Sequence, residues 1–101
     1  MTTTVTTTDN TTFTVTMDGR LDTAASQQCL EDLKTVLETP GANITVDCTD
    51  LEYISSSGLR IFLTLYKSAF ATKGSLRVTN LNPDVRNIFN ITGFSKRFGI
   101  E

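Results

Sequence analysis

The chain has 101 residues, 39% of them hydrophobic and 20% charged, the balance of one soluble globular domain over residues 1–101 rather than two. A formal net charge of −2 and the lack of any Lys/Arg cluster leave no electrostatic footprint for a nucleic-acid partner. Histidine is absent, which excludes Ser-His-Asp and Cys-His nucleophile systems and leaves little for a metal to bind.

Residues 1–18 read as a β-hairpin. Thr3 to Thr8 and Thr11 to Met17 are β-branched runs around Asp9-Asn10, two residues that tolerate the positive φ of a tight turn. In the second run Phe13, Val15 and Met17 alternate with Thr12, Thr14 and Thr16, so one face is apolar and the other hydroxylated. The first run has Val5 as its one aliphatic besides Met1, and fraying is expected there. Asp18-Gly19 is then expected to turn the chain into a helix over Ala24–Glu38. Asp22 or Thr23 is its candidate N-cap, Leu30, Leu33, Val36 and Leu37 its buried stripe with Cys29 beside it, and Pro40-Gly41 its end.

Ile44, Val46 and Cys48 alternate with Thr45, Asp47 and Thr49, the pattern of a half-buried strand. A helix from Ser57 to about Thr72 follows, with Leu59, Phe62, Leu63, Tyr66, Ala69 and Phe70 on one face and Lys73-Gly74 as its stop. Ile61 falls outside that stripe and Leu65 at its margin. Either they form a docking patch with Arg60, Thr64 and Ser68 around them, or Leu65 widens the core and Ile61 is a lone exposed aliphatic. Leu76 and Val78 alternate with polar residues in a further strand, and Asn82-Pro83 opens a short helix with Val85, Ile88 and Phe89 inward and Gly93 to end it. The tail Phe94–Ile100 fits either a last edge strand or an aromatic plug. Each strand read from alternation keeps one polar face, so helices should cover one side of the sheet only. The expected build is a two-layer α/β sandwich, a mixed four- to five-stranded sheet with helices packed on one face.

Cys29 and Cys48 form no CxxC pair and read as reduced core residues of a cytoplasmic protein. No apolar run approaches a membrane span, and the threonine-rich start is neither basic nor hydrophobic enough for a signal peptide. No Walker loop or G-x-G-x-x-G segment is present, so no cofactor and no catalytic activity are expected. What stands out is Ser55-Ser56-Ser57 at the start of the central helix, where free backbone N–H groups and the helix dipole favour an anion. These serines either cap the helix or receive a phosphate.

The stretch Asp50-Leu51-Glu52-Tyr53-Ile54-Ser55-Ser56-Ser57-Gly58-Leu59-Arg60 resembles the central motif of STAS domains, in particular the free-standing bacterial anti-sigma factor antagonists. The order of elements along nearly the whole chain is similar too. The resemblance implies that Ser56, two positions before Gly58, is the phosphoacceptor; Ser55 stands where the family usually has Asp. Gly19-Arg20-Leu21-Asp22 is similar to the family's G-x-L-D segment, whose acidic residue lies near the acceptor and contributes to the kinase-facing surface. The implied partners are an anti-sigma factor serine kinase, bound in the unphosphorylated state so that a sigma factor is released, and a resetting phosphatase. Asp22, Thr23, Ser55, Ser56, Ser57, Gly58, Arg60, Ile61 and Leu65 are the candidate partner-binding residues. Two alternatives stay open: a non-phosphorylated STAS scaffold subunit of a lipid-transport ATPase or signalling complex, and weak nucleotide binding by the domain itself.

Overall fold

The computed structural model describes residues 1–96 and 99–100. Strands β1 (Thr2–Asp9) and β2 (Thr12–Leu21) form the antiparallel hairpin. Asp9 builds the turn: its Oδ1 accepts from the backbone N–H of Thr11 (2.9 Å) and of Thr12 (2.8 Å). Contrary to the expected fraying, β1 stays in register with β2 from Thr2 to Thr7, with a bulge at Thr8. Val5 lies opposite Val15 and packs on the core edge, which anchors the middle of the strand.

Helices α1 (Thr23–Asp32) and α2 (Lys34–Leu37) lead to β3 (Asn43–Ile54), α3 (Ser56–Ala71), β4 (Ser75–Thr79) and α4 (Pro83–Ile91). A 3₁₀ turn at Phe94–Lys96 and a short strand β5 (Gly99–Ile100) close the described chain. The sheet order is β1-β2-β3-β4-β5, with β3, β4 and β5 each parallel to the preceding strand. On β2 and β4, Phe13, Val15, Met17, Leu76 and Val78 are buried while their sequence neighbours are not. Such one-sided burial is the mark of a sheet covered on a single face, and the two-layer sandwich with a mixed five-stranded sheet is the architecture. Phe62 of α3 meets Phe89 of α4 edge to face, 5.1 Å between ring centroids, joining the two helices above the sheet.

Four expectations need correction. Asp18-Gly19 does not turn the chain; β2 runs on to Leu21, and Gly19 absorbs an irregularity at φ +108°, a conformation only glycine takes without strain. Opposite it, β3 carries two extra residues, since Thr16–Asp18 and Gly19–Arg20 face Asp47–Asp50 and Leu51–Tyr53. These bulges break the alternation, so the inward series runs Val46, Cys48, Leu51, Ile54 and the strand extends beyond Cys48. The single helix expected over Ala24–Glu38 is broken at Leu33, and Leu30, expected in its buried stripe, is 43% exposed while Cys29, Leu33 and Val36 are buried.

The last correction concerns α3. The core face of α3 is Gly58, Ile61, Phe62, Leu65 and Ala69, and Phe70 is 73% exposed. The apolar stripe counted from the sequence is off by about a quarter of a turn. Of the tail, Gly99-Ile100 pairs with β4 as an edge strand and Phe94 meets Phe89 edge to face at 6.2 Å, while Arg97 and Phe98 lie outside the described residues.

Candidate functional site: two adjacent helix mouths

Leu21 and Ile54 are paired at the ends of β2 and β3, and a helix begins directly after each. On one side Asp22 is extended (φ −86°, ψ −178°) and its Oδ1 accepts from the Ala25 N–H at 2.8 Å, capping α1. The Asp22 carbonyl also takes the Ser26 hydroxyl at 2.7 Å. On the other side Ser55 is extended and its Oγ accepts from the Gly58 N–H at 3.1 Å, capping α3. The two mouths are tied together, because the Ser55 N–H donates to the Leu21 carbonyl at 2.9 Å.

Ser55 thus does the capping, and that frees its neighbour. Ser56 is the first residue of α3 and is exposed, and among the described residues no hydrogen bond engages its hydroxyl. Ser57 is half-buried and faces a groove between α1 and α3. Gly58 fixes how close α3 comes to the sheet. A Cβ there would meet Ile54 Cγ1 and Leu21 Cγ, each at 2.8 Å, so the helix seats on the two strand ends only because that carbon is missing.

Thr23, Ser57, Arg60 and Ile61 share the groove wall with Gln27 and Leu30. The groove continues along α1 and α2 past Lys34 and Leu37, with Leu30 and Thr64 common to both parts. Arg60 is exposed one turn beyond Ser56, on the same side of the helix. Arg20 and Tyr53 are partners across β2 and β3, and the guanidinium lies 4.3 Å from the ring centroid in a cation–π stack.

Of the residues expected at this site, Asp22, Thr23, Ser55, Ser56, Ser57 and Arg60 are brought together at one end of the molecule. Gly58, Ile61 and Leu65 are buried, Ile61 reaching only the bottom of the groove. Ile61 and Leu65 are 4% and 0% exposed and belong to the core, which removes them as a docking patch. Leu30 and Gln27 line the groove without having been anticipated there, and Thr64, expected around the Ile61–Leu65 patch, lines it instead. Leu30 sits on the flank of its helical stripe, and a flanking leucine cannot be told from a buried one until the neighbouring helix is placed.

Burial pushes the Cys29 thiol up from its usual range and the Cys48 thiol up to about 12. Both stay protonated and unreactive at neutral pH. Asp47 is held below the usual carboxylate range by the Thr49 hydroxyl (2.6 Å) and backbone N–H (3.0 Å) and by Asn80 (3.2 Å). Among the described residues no three or more Cys, Asp or Glu gather as metal ligands, and no helix is long and apolar enough to cross a membrane.

A one-sided α/β sandwich with two helices starting side by side at the ends of paired parallel strands is the class of domain that the fold defines. The chain belongs to the STAS domain family, whose sequence pattern matches residues 3–101. It is 31% identical over 84 residues to BtrV of Bordetella bronchiseptica, covering 83% of this chain and 72% of that one. It is 30% identical over 79 residues to the anti-sigma-B factor antagonist of Bacillus subtilis, covering 78% and 72%. In fold it superposes on SpoIIAA, the Bacillus cell fate determinant in its phosphorylated form, with a TM-score of 0.77 at 20% identity over 99% of this chain and 91% of that one.

Proposed function

We propose that this domain is an anti-sigma factor antagonist, a non-catalytic binding module switched by phosphorylation at Ser56. Unphosphorylated, it binds an anti-sigma factor serine kinase and releases the sigma factor held there. The kinase transfers the γ-phosphoryl group of ATP to the Ser56 hydroxyl, the complex parts, and a phosphatase restores the hydroxyl. The observation that carries this reading is the division of labour at the α3 mouth: Ser55 caps the helix, and Ser56 is left exposed and unengaged. The name of the Bacillus subtilis relative and the phosphorylated state of SpoIIAA support it.

The local electrostatics fit such a switch. A phosphate on Ser56 adds about −1.5 to −2 charges at pH 7 beside the positive end of the α3 dipole. Arg60, one turn on, is in reach to donate to it. The domain therefore tolerates the modification, and the added charge is felt by the partner. Asp22, Thr23 and Ser57 frame the same surface. The domain works in the cytoplasm and takes no cofactor of its own.

Incubation with the cognate kinase and ATP, read by intact mass and peptide sequencing, tests the assignment. Wild type gains one phosphate at Ser56. Ser56→Ala gains none and still binds the kinase. Labelling that persists in Ser56→Ala refutes the site. Ser55 in the family's usual Asp position favours one other reading, a scaffold STAS subunit that is never phosphorylated. Capture of a transporter ATPase in place of a small kinase would establish it.

A further inference from the structure

β1 is the open edge of the sheet, paired with β2 on one side only. Open edges expose unpaired N–H and C=O groups, and soluble proteins ordinarily blunt them with lysine, proline, inward charges or bulges. From Thr2 to Thr8 this strand has no charged residue and no proline, and every residue is β-branched. Its one blunting device is the bulge at Thr8.

The order of those residues is also symmetric. Thr2-Thr3-Thr4-Val5-Thr6-Thr7-Thr8 is the same read in either direction about Val5. Antiparallel pairing of this edge with a second copy of the chain places a two-fold axis at Val5. Val5 then meets its own copy, Thr4 meets Thr6 and Thr3 meets Thr7, so like meets like at every position. Antiparallel Thr–Thr and β-branched pairs are favourable cross-strand partners, and no charge opposes a like charge. The faces agree as well. Thr4 and Thr6 are exposed on the side without helices, whereas Val5 and Thr3 are half-buried toward the helices. Two-fold pairing in this register brings helix side to helix side and extends the sheet from one molecule into the next.

We propose that β1 is a self-association edge through which two copies pair as a weak, closed, two-fold dimer. This does not depend on the phosphorylation reading. A single strand pair buries less surface than a stable interface, so the dimer is concentration-dependent and transient.

Sedimentation equilibrium from micromolar to millimolar protein tests it, with circular dichroism as the control for folding. Wild type shows a mass rising toward twice that of one chain. Thr4→Lys/Thr6→Lys sets like charges opposite each other across the axis and leaves a single-chain mass throughout, with unchanged circular dichroism because both positions face solvent. Thr4→Glu/Thr6→Lys sets opposite charges across the same axis and restores association, strengthened at low salt. A wild-type mass that stays at one chain up to millimolar concentration overturns the proposal. So does association of the double-lysine variant, or identical behaviour of the two double variants, which would show that Thr4 does not face Thr6 of a second copy.

Discussion

Two helices start side by side at one end of this sheet, and they solve the same problem differently. α1 is capped by the carboxylate of Asp22, which brings a permanent negative charge to the positive end of its dipole. α3 is capped by the neutral hydroxyl of Ser55, and no acidic residue lies in its first turn. The first mouth has its counter-charge built in. The second is left without one and has an unengaged serine beside it. The contrast teaches that a helix start can be structurally complete and still electrostatically open, and that the open one is where a reversible charge is cheapest to add.

The comparison presumes that both helices sit firmly on the strand ends, and the largest expected effects break that seating. Leu65→Ala removes a fully buried side chain from under α3 and should cost about 2–5 kcal/mol, measured by urea denaturation. Gly58→Ala forces a Cβ against Ile54 and Leu21 and should cost about 1–3 kcal/mol; a loss under half a kcal/mol would mean that α3 can lift off without penalty. Removing each cap tests the mouths themselves. Asp22→Ala and Ser55→Ala should each cost about 1 kcal/mol, and Asp22→Asn less, because it keeps an acceptor while losing the charge. Ser56→Ala should change stability by less than about 0.5 kcal/mol. Ser56→Glu should instead stabilise by about 0.3–1 kcal/mol at low ionic strength, an increment that fades with salt. Equal sensitivity at positions 55 and 56 would erase the distinction drawn between them.

One further test concerns the buried face of β3. The Cys48 thiol titrates at about 12 in the folded chain against a usual value of 9.0. Its folded pKa is raised, so the protonated thiol's contribution is complete below pH 9 and is lost progressively as pH rises toward 12, where the unfolded chain gains from ionising and the folded one cannot. Cys48→Val should flatten that alkaline decline in stability between those limits.

Much of this was legible in advance, for physical reasons. Strands with a single buried side announce themselves by alternation, as Phe13, Val15 and Met17 do, and caps announce themselves by chemistry, as Asp22 and Asn82 do. The rotation of α3 was not legible. Its packing centre is Gly58, which carries no side chain to be counted, while Leu59, Leu63 and Phe70 on its flank drew the stripe toward themselves. Ile61 was misplaced for that reason, whereas the reading in which Leu65 widens the core holds. The path of β2 was hidden similarly, because Asp18-Gly19 has the composition of a turn and the geometry of a bulge.

The bond from the Ser55 amide to the Leu21 carbonyl has a mechanical consequence. It rivets the seam between two parallel strands at the point where both pass into helices. Force exerted on the serine loop is therefore passed to the β2–β3 ladder and does not bend a free segment. The start of α3 is thereby held to the end of β2 as well as to its own strand.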